Sequence, residues 1–132
     1  LVGGLVERGE RIEMTQVWEL KRAYDPPEET DGLRVLVDRL WPRGLTRERA
    51  AIDLWAKDLA PSSQLRTWWH DQADDFDEFV RRYQAELAAS DAVADFLSQI
   101  AGEPRVTLIY ATRDTERNHA LVLRDMLREA EH

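Results

Sequence analysis

Two short stretches carry the residue types most suited to chemistry. Asp38 and Arg39 close an apolar run and Arg43 follows soon after, while Arg113, Asp114 and His119 gather near the other end of the chain. A guanidinium is a planar fork that binds two oxygens of a carboxylate or phosphate. Arg39, Arg43 and Arg113 are therefore candidates to hold a small anionic or nucleotide-like ligand. Asp38, behind three apolar residues, can act as a base, as a ligand, or as the orienter of an arginine. His119 is the candidate proton carrier, because imidazole changes charge near neutral pH. Asp114 and Asn118 add polar contacts, and Trp41 and Tyr110 are candidates to line the pocket. Each residue also has an ordinary role. The arginines can pair with Asp38, Asp53 and Asp114 to fix loops, Asp114 can cap a helix, and His119 can be a buried residue with one satisfied hydrogen bond.

Composition removes several classes of function. The chain has no cysteine, so disulfides, thiolate zinc sites and cysteine nucleophiles are excluded. The histidines are His70, His119 and His132, without H-x-x-x-H or H-E-x-x-H spacing, so no metal site is assigned. A mixed site of His119, Asp38 and Asp114 stays open as an alternative. There is no G-x-G-x-x-G and no P-loop, and no cofactor is indicated. Ser62 and Ser63 lack a His–Asp order around them and read as helix caps rather than nucleophiles.

The net charge of -8 gives nonspecific nucleic-acid binding no general help. A non-catalytic regulator or DNA-binding module, using a stripe of Arg43, Arg47, Arg49 and Arg66, is the competing reading. No apolar run approaches the roughly 20 residues that span a bilayer, so no membrane partner is expected and a cytoplasmic address is the default. Residues 1–13 are broken by charges and expected to be a disordered leader or upstream extension, with one domain over 14–132.

The positioning elements follow from pattern. Trp18, Leu20 and Tyr24 alternate with polar residues, which predicts a half-buried strand from Val17 to Tyr24, ended by Asp25-Pro26-Pro27. Leu33 to Leu40 holds a continuous Val35-Leu36-Val37, as in a strand buried on both faces. Thr46 reads as the cap of a helix running through Ala50, Ala51, Leu54, Trp55 and Leu59 to a stop at Pro61. A short helix follows Ser62 or Ser63. Its Trp68-Trp69 pair either floors a pocket or is buried against the next helix. Phe76, Phe79, Val80, Tyr83 and Leu87 make one stripe of a helix over Asp71 to Ala89. Ser90 caps another helix that stops at Gly102. Arg105 to Ala111 is a second buried strand, and Asp114 or Thr115 caps the last helix.

The fold expected is α/β: a small, largely parallel sheet of about three strands flanked by helices in a single compact domain. The long helical connection between the two buried strands favours parallel strands. Their C-terminal ends then share one rim, where open α/β sheets bind ligands. The direction of the first strand stays open, because its link to the second is short.

Three motifs carry a family resemblance. V-L-V-D-R-L-W-P-R-G at 35–44, D-L-W-A-K-D-L-A-P-S at 53–62 and Y-A-T-R-D-T-E-R-N-H-A at 110–120 resemble the YeaO-like branch of the bacterial family DUF488, over about Val17 to Glu129. The resemblance implies a small α/β fold and a cytoplasmic bacterial protein, and no established activity. The wider family has a strand ending V-D-V-R and a last helix carrying C-H-R. Asp38 and His119 match, while Asn118 stands at the cysteine and Ala120 at the arginine, so a cysteine-based mechanism does not carry over. Some relatives are labelled MarR-like regulators. A winged helix needs a basic recognition helix and a β-wing, whereas the helix after Ser62 offers only Arg66 and no hairpin follows it.

Overall fold

The computed structural model describes residues 16–72 and 74–131. The expected leader, 1–13, lies outside them. Four strands form one sheet: β1 (Val17–Arg22), β2 (Leu33–Leu36), β3 (Leu54–Trp55) and β4 (Arg105–Tyr110). Their order is β1-β4-β2-β3, and every neighbouring pair is parallel. The short link after β1 therefore does not produce a hairpin. It runs back past a turn of helix at Glu29–Asp31 so that β2 starts level with β1.

β4 takes a central position because its sequence demands cover on both faces. Five of its six residues are buried. Val106, Leu108 and Tyr110 join Trp18, Val35 and Val37 in the main core. Ile109 turns to the opposite face with Ala23 and Leu36. The main core is closed by α3 (Phe76–Ala88), α4 (Ala92–Gln99) and α5 (His119–Glu131), whose buried residues include Phe79, Tyr83, Phe96, Leu123 and Leu127. Each such side chain contributes about 1.5–3 kcal/mol by leaving water. The opposite face is covered mostly by the irregular segment 38–55, where Trp41 and Trp55 meet edge-on at 5.4 Å between ring centres.

That segment corrects the expected helix from Thr46 to Leu59. Thr46 does cap a helix, its side chain accepting from Arg49 N, but α1 is only Arg47–Ala50. Ala51 turns left-handed at φ 49°, and Leu54–Trp55 pairs with Val35–Leu36 as the fourth strand. Tertiary hydrogen bonds override the apolar spacing. Buried Arg34 donates to the carbonyls of Ala50 and Ala51, and Asp53 accepts from the Arg34 backbone at 2.9 Å. Those two carbonyls would otherwise serve the next helical turn.

Other boundaries shift for local reasons. α2 is Ser63–Asp71 and is capped by Ser62. The long helix begins at Phe76, because Asp75 accepts from Glu78 N and caps it there. The last helix begins at His119, with Asn118 Oδ1 accepting from Leu121 N at 3.0 Å. Asp114 instead folds the preceding turn by accepting from Glu116 N and Arg117 N. No helix among the described residues is long and apolar enough to cross a membrane.

Candidate functional site

Because β2 and β4 are adjacent and parallel, their C-terminal ends sit together. Val37 N donates to Ile109 O at 3.0 Å, and Ala111 N donates to Asp38 Oδ2 at 3.0 Å. Asp38 is thus clamped across the two strand ends. Its own carbonyl accepts from Trp55 Nε1 at 2.7 Å, which ties it to β3 as well. The turn after β4 returns the chain into α5 so that His119, its first residue, reaches back over the same rim. His119 Nε2 lies 2.8 Å from Asp38 Oδ1. The approach is close but off the axis of the ring N–H, since neither buried atom has an aligned hydrogen-bond partner. The His119 ring packs at a steep angle to Tyr83, 6.4 Å away between ring centres.

Asp38 and His119 form part of the wall of a cleft of about 570 Å³. α2 supplies another wall with Arg66, Thr67, Trp69 and His70, which the i, i+3, i+4 spacing of Arg66, Trp69 and His70 places on one helix face. Arg39 lines the cleft and donates from Nε to Pro61 O at 3.1 Å. Pro61 belongs to a segment gripped from α3. Tyr83 OH donates to Leu59 O, and Glu86 accepts from both Ser62 N and Ser62 Oγ. Burial pushes the Tyr83 hydroxyl pKa far above its ordinary value, so it stays a neutral donor.

Of the residues singled out in the sequence, the cleft brings together Asp38, Arg39, Asn118 and His119. The others lie elsewhere. Trp41 donates to Leu45 O at 2.6 Å and packs on Trp55 over the opposite sheet face. Arg43 is exposed, and its carbonyl accepts from Tyr24 OH. Tyr110 is sealed in the main core, where burial raises its pKa. Arg113 and Asp114 are exposed outside the cleft lining. The Glu116 and Arg117 backbone N–H groups hold the Asp114 carboxyl below its usual pKa. Among the described residues no three His, Asp or Glu side chains converge, so Asp114 does not complete a triad with Asp38 and His119.

The alternative ion pairs are also replaced. Among the described residues, none of Arg39, Arg43 and Arg113 bridges to a carboxylate. Asp53 serves the Arg34 backbone instead. Of the proposed basic stripe, Arg47 lies over the Trp41 ring at 5.1 Å and Arg66 turns to the cleft.

Arg117 and His70 are cleft residues that the sequence reading did not assign, and Arg66 was assigned to a different surface. The helical spacing on α2 was the available signal for Arg66 and His70. Trp69 both lines the cleft and packs against Phe76 and Phe79 of the next helix, while Trp68 lies under Arg82 of that helix at 4.2 Å.

Fold and cleft together define a class: a four-stranded parallel α/β domain with an Asp–His pair at the C-terminal rim of its sheet. The chain belongs to the DUF488 family, matching the group described as "Inactive DUF488-N3 subclade" over residues 17–132. It is 46% identical over 110 residues to the Escherichia coli protein called "Uncharacterized protein YeaO", covering 83% of this chain and 96% of that one. It is also 46% identical over 106 residues to the Mycobacterium tuberculosis "Uncharacterized protein Rv3073c", covering 80% and 89%. No solved structure gives a significant match. Asn118 is buried in the cleft wall. Its Oδ1 caps α5 and its Nδ2 donates to Asp114 O at 2.8 Å.

Proposed function

We propose that this protein binds a small anionic ligand in the rim cleft and holds it without turning it over. The observation that carries the reading is the charge of the lining. In a chain of net charge -8, the cleft is lined among the described residues by Arg39, Arg66 and Arg117 against a single carboxylate, Asp38, which already faces His119. Guanidiniums facing a semi-enclosed space bind phosphate or carboxylate better than the same groups in open water. Binding without turnover is favoured by two facts. The family description reads "Inactive", and Asn118 is an amide committed to capping, which leaves no nucleophile at that position. Asp38 and His119 then act as a polar wall that orients the ligand.

The test is thermal unfolding against a panel of phosphorylated metabolites, nucleotides and small carboxylates. A ligand at about a hundred times its Kd adds roughly 2.7 kcal/mol of stability. The stabilisation should vanish in the double variant Arg66→Ala/Arg117→Ala. A panel in which nothing stabilises the wild type, or in which the double variant responds equally, rejects the reading.

A further inference from the structure

We infer that the anion bound in the cleft carries a planar aromatic ring that stacks on Trp69; this rests on the anion-binding reading and narrows its ligand class. The argument starts from where charge and apolar surface lie. Arg66 and Arg117 are exposed, whereas Trp69 is half-buried and Phe79 is 2% exposed, so the basic groups stand at the mouth and the aromatic ones deeper. A phosphate or carboxylate held at the mouth leaves the apolar interior to the rest of the ligand. At about 570 Å³, the cleft is far larger than an inorganic anion and falls within the roughly 300–1,000 Å³ typical of pockets for whole organic ligands.

Trp69 is suited to hold a ring because it is itself held. Phe79 lies 5.0 Å and Phe76 5.6 Å from it between ring centres, and those two stack on each other at 5.9 Å with an 18° tilt. The half-buried indole is one corner of a triangle of rings, tilted against both phenyl groups, with little side-chain freedom left to lose on binding. A flat ring packs on the part of the indole that lines the cleft. A flexible polyol meets the same surface with unmatched hydroxyls, which costs desolvation. Leu40, 59% exposed at the cleft edge, adds apolar surface for the same body.

The experiment compares adenosine monophosphate, phenyl phosphate and ribose phosphate by calorimetry on the wild-type chain and on Trp69→Leu. The expected result is that at least one ring-bearing phosphate binds about tenfold tighter than ribose phosphate, a difference of about 1.4 kcal/mol. That preference should disappear in Trp69→Leu while its affinity for ribose phosphate persists, which also reports that the variant is folded. Phenyl phosphate equal to the nucleotide assigns the site to ring plus anion. The nucleotide alone assigns it to nucleotides. Ribose phosphate binding as tightly as both overturns the ring and leaves the anion reading standing; no binding by any of the three overturns the ring, and the wider panel with its carboxylates then decides the anion reading. If Trp69→Leu does not fold, tryptophan emission decides. Quenching by the ring-bearing ligand should be lost in Trp69→Phe, and unchanged quenching there overturns the inference.

Discussion

His119 Nε2 faces Asp38 Oδ1 at 2.8 Å although the two residues come from opposite halves of the chain, and the other Asp38 oxygen holds Ala111 N at 3.0 Å. One carboxylate therefore couples the end of β2, the end of β4 and the start of α5. Asp38→Ala removes the acceptor from the Ala111 N–H and uncovers the imidazole, and is expected to destabilise by about 1–3 kcal/mol. Asp38→Asn keeps an oxygen for Ala111 and should cost less. Urea unfolding of the two variants checks the ranking, and equal losses would show that the Ala111 bond is not what matters.

Asp31 should govern part of the acid response. It is 7% exposed and accepts from Lys21, from Arg34 Nη1 at 2.6 Å and from Glu28 N. Burial by itself raises its pKa, but the Glu28 N–H, Lys21 and Arg34 together hold it below the ordinary value of 3.8. A lowered carboxyl pKa stabilises the fold above the ordinary value, and that part is lost as pH falls from 3.8 through the folded-state pKa. Asp31→Asn leaves Lys21 and Arg34 without their buried counter-charge, for about 3–5 kcal/mol at neutral pH. It should also flatten the acid limb of the stability curve. Denaturant midpoints across the acid range test this, and an unchanged slope would exclude Asp31 as its source.

Gly32 should tolerate no side chain. Its φ is +66°, and a Cβ built there meets Arg105 O at 2.3 Å and Arg105 Cβ at 2.9 Å. The backbone conformation alone costs a non-glycine residue about 1–3 kcal/mol, and the close approach to β4 adds to it. Gly32→Ala is expected to lower the melting temperature by more than Gly44→Ala. At Gly44, φ is also positive, at +77°, but nothing lies within 4 Å. Equal effects would assign the whole cost to backbone conformation.

Asn118 is expected to act as a cap. Asn118→Ala removes the acceptor of Leu121 N and the donor to Asp114 O, for about 0.5–2 kcal/mol. Asn118→Asp keeps the cap oxygen and places a negative charge at a helix start, which favours α5. The same charge beside Arg117 and His119 should weaken anion binding. Paired unfolding and calorimetry on Asn118→Asp would separate the two effects.

Arg117→Ala should weaken the stabilising anion about tenfold, the size of a charge-assisted pair near 1.4 kcal/mol. The loss should shrink as salt rises, because exposed charges are screened over about 8 Å at physiological ionic strength. Affinities at two salt concentrations for wild type and variant test both statements. A salt-independent difference would point to lost packing instead.

Several features were legible in the sequence by itself. The continuous apolar run at Val35–Val37 and the mainly apolar run at Val106–Tyr110 ask for burial on both faces, and the long helical connection between them favours parallel strands. From that alone, Asp38 and the turn after Tyr110 belong to one rim, and the Phe79, Tyr83, Leu87 stripe belongs to one helix. Local periodicity is a property of neighbouring residues, so it survives into the fold.

Tertiary structure alone decided the rest. The spacing of Ala50, Leu54 and Trp55 fits a helix, and only the Arg34 side chain, arriving from β2, ends that helix and frees Leu54–Trp55 to become a strand. The sheet order placed β1 parallel beside β4, which its short link to β2 did not reveal. The arginines of the cleft were likewise exchanged. Arg43 is near Asp38 in sequence, yet Arg66 shares the cleft with Asp38 and His119, because α2 is carried over the rim by the hold of α3 on residues 59–62. Which charged side chains share a cavity depends on how distant elements pack, and no local pattern encodes that.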